Sequence, residues 1–250
     1  MPVLTLLHEV WNRIAGTQPV PPVWVIAASG AAALVVVLNA SMWRLARNVI
    51  TIVHEGGHAL MSLLTGRRLD GIRLHADTSG VTYSRGRRDG PGMVLTSAAG
   101  YIAPPLLGAG AAWLLAADHV TAMLWLLLVL LAATFLAVRN AYGVLAAGLT
   151  LAAVLAVSWL ASAAVQAVFS YAAAWFLLLG GLRPVVELQR ERRRDQRYRV
   201  AGRSDADQLA RLTGVPGGVW VVAFGLVGLA ALILSARLLL PAYAHLPHYR

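Results

Sequence analysis

The chain has 250 residues, 58% of them hydrophobic, and a formal net charge of +10 carried by arginine alone, since lysine is absent. It contains no cysteine, which excludes disulfides and thiolate metal sites and leaves His, Asp, Glu or Asn to hold any metal. Its apolar residues fall in blocks of about twenty, the length that crosses about 30 Å of hydrocarbon as helix, which excludes a water-soluble globular domain. The arginines cluster between these blocks, where basic residues act first as a positive-inside signal rather than as a nucleic-acid footprint.

Residues 1–20 include His8, Glu9 and Arg13 and lack the basic start, apolar run and small-residue cleavage site of a secretory signal. The first apolar segment is therefore expected to remain in the mature protein. Seven spans are expected at about 23–43, 45–65, 92–117, 120–138, 141–160, 163–182 and 219–240. Trp24, Trp220 and Tyr243 stand near span ends as interfacial anchors. The second span is unlike the others, because it carries Arg47, Asn48, His54, Glu55 and His58. A charge at the centre of a membrane helix costs about 2.5–3.5 kcal/mol on insertion scales, so such a load marks a functional segment.

Between the second and third spans, residues 66–91 alternate apolar and polar side chains around Asp77-Thr78-Ser79-Gly80, the pattern of a β hairpin. Spans three to six follow with very short connections and are expected to pack as antiparallel neighbours. A second polar stretch, 183–218, opens with the arginine-rich run Arg190 to Arg199, expected to continue the sixth span as a solvated helix. It then reads Ser204-Asp205-Ala206-Asp207, whose Ser204 and Asp207 have capping-box spacing, with Gly214 suited to the end of a short helix. If both arginine-rich stretches are cytoplasmic, Arg139 and the N-terminus lie on that side and the C-terminus on the other. A connection at Arg44 and Arg47 would be the one exception to this pattern.

His54-Glu55-Gly56-Gly57-His58 is the most specific motif in the chain. Four residues make slightly more than one helical turn, so both imidazoles project from one face about 6 Å apart along the axis and can share one tetrahedral ion. Glu55, beside the first ligand, can take a proton from a metal-bound water, whose pKa zinc brings to near 7. The competing reading is that the three polar groups simply hydrogen-bond one another or relay protons. Paired glycines weaken a helix by about 1 kcal/mol each relative to alanine, and close approach of another helix or of a substrate strand would offset that cost. His75 sits in the hairpin region with the alternation of a solvated strand face, and His245 and His248 form a polar tail for which no chemistry is expected.

A His-Glu-x-x-His motif in a span, followed by a small β element and later spans, resembles the site-2 protease family of intramembrane zinc metalloproteases. The resemblance covers about 45–110, where Ala99-Gly100-Tyr101-Ile102-Ala103-Pro104 is similar to the family's small-residue segment. It implies cleavage of membrane-embedded substrates, such as anti-sigma factors or membrane-tethered regulators. The family's third ligand, an Asp-Gly pair preceded by Asn-x-x-Pro, is not intact here. The segment most similar to it is Ser204 to Leu209, which makes Asp205 the first choice, because Asp207 has the capping role available. For Asn140, after Arg139, the resemblance implies a role like that of the family's asparagine in orienting a substrate carbonyl or stabilising an oxyanion, whereas its place at the head of the next span favours a helix cap.

The sequence thus predicts an all-α polytopic membrane protein of about seven transmembrane helices, a single domain over 1–250 with a hairpin insert at 66–91 and a basic cytoplasmic loop at 183–218. One zinc ion would be held by His54, His58 and Asp205, with Glu55 and Asn140 as catalytic residues. The expected partners are the lipid bilayer and a membrane-embedded protein substrate, with no nucleic acid. Arginine in place of lysine and abundant alanine suggest a GC-rich bacterial genome and hence the bacterial cytoplasmic membrane. The alternative is a non-catalytic membrane regulator, scaffold or transporter whose metal site is structural or empty.

Overall fold

The computed structural model describes residues 11–12, 14–198, 202 and 204–240. Most of the N-terminal segment read for a signal, and Tyr243, His245 and His248, lie outside them. Among the described residues these elements follow in chain order: α1 Val23–Leu38, α2 Ala40–Leu64, β1 Arg68–Leu74, β2 Gly80–Arg85, α3 Pro91–Ala116, α4 Val120–Ala137, α5 Ala141–Leu160, α6 Ala163–Tyr198, α7 Asp205–Thr213 and α8 Gly217–Leu239. Helices α3, α4, α5, α6 and α8 are each long and apolar enough to cross a membrane. The protein is a polytopic helical bundle carrying a small two-stranded sheet.

The first two expected spans are realised differently. Helices α1 and α2 meet the criterion only together and are bent by 102° at their junction, so among the described residues the candidate spans number five, or six if this pair counts as one, against the seven expected. The break falls at Asn39, not near Arg44. Asn39 is extended, with φ −74° and ψ 122°, and its side chain accepts from the backbone N–H groups of Ser41 and Met42. That is an N-cap, which satisfies the orphan donors of a new helix start. Arg44 and Arg47 therefore lie within α2 rather than in a connection between spans. Arg47 instead approaches Glu187 of α6 at 3.5 Å.

The hairpin pairs β1 and β2 antiparallel from Arg68↔Arg85 to Leu74↔Gly80, with an irregularity between Leu69 and Gly71. At its tip the Asp77 carboxylate accepts from the Ser79 backbone N–H at 3.0 Å and from its hydroxyl at 2.6 Å. Ile72 and Leu74 turn into the bundle and are fully buried, whereas Val81 and Tyr83 of β2 are exposed. The outer edge of β1 is closed by the α4–α5 connection. Val138 forms a parallel bridge with Ile72, and the Arg139 N–H donates to the Ile72 carbonyl at 2.9 Å. Asn140 accepts from the Leu74 N–H at 3.1 Å and donates to the Leu74 carbonyl at 2.7 Å. Among the described residues, the outer edge of β2 has no strand partner.

Helix α6 runs 36 residues from the bundle into the arginine-rich stretch. Helix α7 has the full capping box, in which Ser204 accepts from the Asp207 N–H and Asp207 accepts from the Ser204 N–H, and it ends at Gly214 in the left-handed conformation with φ 74°. Its Ala206 and Leu209 are completely buried among Ala98 of α3, Val185 and Leu188 of α6, and Val221 and Phe224 of α8. Asn140→Ala should leave the buried Leu74 N–H and C=O unpaired and cost about 1–3 kcal/mol of stability. The measurement is thermal unfolding of the purified protein, and an unchanged midpoint would show that the amide is not needed to seat the hairpin.

Candidate metal centre

His54 and His58 stand one turn apart on α2, and their Nε2 atoms are 3.1 Å from each other, with the rings at 83°. Asp205, at the first turn of α7, brings its Oδ2 to 3.2 Å from His54 Nε2 and 3.3 Å from His58 Nε2. The three donor atoms form a nearly equilateral triangle. Ligands at about 2.0–2.1 Å around a tetrahedral zinc ion are separated by about 3.3–3.4 Å, so this triangle has the size of one face of that tetrahedron. Among the described residues no further His, Cys, Asp or Glu joins the group, so none of these residue types fills the fourth vertex.

The neighbouring groups suit a metal better than a closed hydrogen-bond cluster. His58 Nδ1 lies 2.6 Å from the Thr96 carbonyl oxygen. A carbonyl only accepts, so Nδ1 carries the proton and Nε2 presents its lone pair, the usual way in which an outer partner orients a ligating histidine. The His54 ring meets Tyr101 edge to face at 4.8 Å, and Tyr101 stacks on Phe224 of α8 at 5.0 Å. Gly100 of α3 faces the two histidines directly. A β-carbon there would lie 2.5 Å from His54 Nε2 and closer still to His58 Nε2, filling the space between the donors. Any side chain at Gly100 would take up the volume that an ion needs.

The two glycines of the motif have separate neighbours. A β-carbon on Gly57 would stand 2.5 Å from Ala103 Cβ and 2.9 Å from the Ala99 carbonyl of α3, and one on Gly56 would stand 3.0 Å from Thr134 Oγ1 of α4. The helical propensity lost at both positions is thus offset by close packing of α2 against two helices, α3 above all.

Glu55 is buried, at 4% exposure. The Thr82 hydroxyl of β2 donates to its Oε2 at 2.6 Å. Gly80 crosses the same carboxyl group so closely that a β-carbon there would fall 2.6–2.9 Å from Glu55 Cγ, Oε1 and Cδ. The hairpin therefore packs directly against the glutamate. Asp205 is free of the cap, which Asp207 supplies with Ser204.

The remaining candidates lie elsewhere. The Asn140 side chain is engaged with Leu74, and its α5 N-cap position has no side-chain cap bond. His75 is at the hairpin tip beside Ser79. Asp70 and Asp89 pair with Arg85 and Arg87, and Glu187 pairs with Arg47 and Arg183. Sequence reasoning missed Thr82, Thr96 and Tyr101. Only Tyr101 and Thr82 left any signal, one within the small-residue segment and the other in the hairpin alternation, and neither pattern says which groups meet.

The profile of the Peptidase M50B-like family matches residues 27–235, which include α2, the hairpin and α7. No curated protein and no solved structure matches the chain. A match over most of the chain, taken with five to six apolar spans, establishes a multi-pass membrane protein that belongs to the Peptidase M50B-like family, the site-2 protease family of metallopeptidases.

Proposed function

We propose that this chain is an intramembrane zinc metalloprotease in which His54, His58 and Asp205 hold one zinc ion and Glu55 is the general base. The observation that carries the reading is the convergence of Asp205, far away in the chain, on the two histidines at tetrahedral-edge distances of 3.2 and 3.3 Å. Three protein donors with a free vertex favour a catalytic over a structural site, which four protein ligands would close. The donor chemistry also suits zinc, which binds imidazole and carboxylate. When bound, the ion supplies a Lewis acid that polarises a carbonyl and makes water acidic near neutral pH.

The chain's own groups account for the rest. Glu55 accepts a proton from the attacking water as its oxygen bonds to the scissile carbonyl carbon, and returns that proton to the amide nitrogen as the C–N bond breaks. Thr82 keeps the carboxylate aimed by its hydrogen bond at 2.6 Å. A helical substrate must first expose its peptide groups. The unpaired edge of β2 can take an unwound segment by strand addition next to Glu55, whereas the edge of β1 is already covered. Asn140 contributes by holding β1 rather than by touching substrate. The substrate would be a membrane-embedded protein, an anti-sigma factor or a membrane-tethered regulator, in the bacterial cytoplasmic membrane, and residues 1–250 would act as one membrane-embedded domain.

Glu55→Gln should retain zinc while cleavage of a membrane-embedded test substrate falls by about 10²–10⁴-fold or more, because a base is not a ligand. Cleavage at the wild-type rate would remove Glu55 from the mechanism. Gly100→Ala should keep the helical content and lose zinc, since its methyl group enters the space between the donors. Asp205→Asn should weaken zinc binding by more than about 100-fold, as a ligand matters more than its outer partners. Metal analysis of the purified variants reads both, and a full complement of zinc in either would contradict the proposed ligand set.

A further inference from the structure

The centre depends on two elements distant in sequence, α2 with its histidines and α7 with Asp205, and nothing in their own sequences sets the distance between them. Helix α6 touches both. Of the side chains from Arg190 to Tyr198, Arg192 alone is buried, with 8% exposure. Its guanidinium pairs with the Asp207 carboxylate and fills the space beside Gly217, the first residue of α8, where a β-carbon would collide with it.

This is a poor place for a cation on grounds of stability. The first turns of α7 and α8 both present the positive ends of helix dipoles, and buried ion pairs seldom outperform apolar packing. The pair is better explained by the geometry it imposes. Positions two apart on a helix point about 200° from each other. Drawing Asp207 toward α6 therefore turns Asp205 the opposite way, toward the histidines. About 7.5 Å further back along α6, Glu187 accepts from Trp43 Nε1 at 3.0 Å and lies 3.5 Å from Arg47, two turns before His54 on α2. One rigid helix thus anchors both halves of the centre.

We propose that Arg192 is a positioning residue of the metal centre: through its ion pair with Asp207 it orients the first turn of α7, so that Asp205 stands at the position where it meets His54 and His58. This rests on the zinc reading above. It also assigns Asp207 a role beyond the helix cap.

The test uses the full chain, purified in detergent, with zinc affinity measured by chelator competition and the ligand set followed by the visible spectrum of the cobalt(II)-substituted protein. Arg192→Gln and Asp207→Asn should each lower zinc affinity by about 10–100-fold and weaken the tetrahedral cobalt bands, and Arg192→Lys should restore part of both. A merely structural ion pair would lower the unfolding midpoint without moving the cobalt spectrum. Wild-type zinc affinity and spectrum in Arg192→Gln would overturn the proposal. If that variant does not fold, the nearly isosteric Asp207→Asn carries the same test with the same two outcomes. A wild-type chain that binds no zinc would instead overturn the proposed function, and this proposal with it.

Discussion

Two imidazoles and a carboxylate held with their donor atoms 3.1–3.3 Å apart set the conditions that the surrounding structure must meet. Groups so polar are expensive at membrane depth unless they are paired with one another, hydrogen-bonded or bound to an ion. Each neighbouring device serves that end. Thr96 fixes the tautomer of His58, Gly100 leaves the space between the donors clear, and Thr82 occupies the carboxylate of Glu55. Gly57 lets α3 come close enough for the first two of these to act.

The hairpin is part of this arrangement rather than an appendage. The free side of β1 is fastened to the α4–α5 connection by Val138, Arg139 and both ends of the Asn140 amide. The other strand brings Gly80 and Thr82 onto Glu55 and leaves its outer edge unpaired among the described residues. Fastening one edge and leaving the other available next to a buried glutamate suits a site whose substrate must arrive as extended chain.

Much of this was legible in the sequence, because period and spacing act locally. The His-Glu-Gly-Gly-His spacing implies one helical face, the alternation around Asp77 implies a hairpin, and the Ser204–Asp207 pair implies a cap that leaves Asp205 unassigned. All three features are present. The misplaced break in the first apolar region has a local cause too. Asn39 was hidden in a hydrophobic block, and its capping role outweighed the block length used to divide the spans. What could not be read were meetings between distant segments. Arg192 looked like any other residue of a solvated basic run, yet it is buried against Asp207. Asn140 reads as a cap or a substrate contact, and the pairing of its amide with Leu74 of β1 has no signal in the sequence. Such pairings follow from the packing of α6, α7 and β1 and leave no periodic trace.

In the proposed centre His54, His58 and Asp205 converge on one ion with a vertex left open. X-ray absorption at the zinc edge of the purified, metal-loaded protein addresses that geometry directly. The expected spectrum is that of a four-coordinate shell of nitrogen and oxygen atoms at about 2.0–2.1 Å, with the outer scattering of two imidazole rings and a non-protein oxygen at the fourth position. A shell without imidazole scattering, or one closed by four protein ligands, would contradict it.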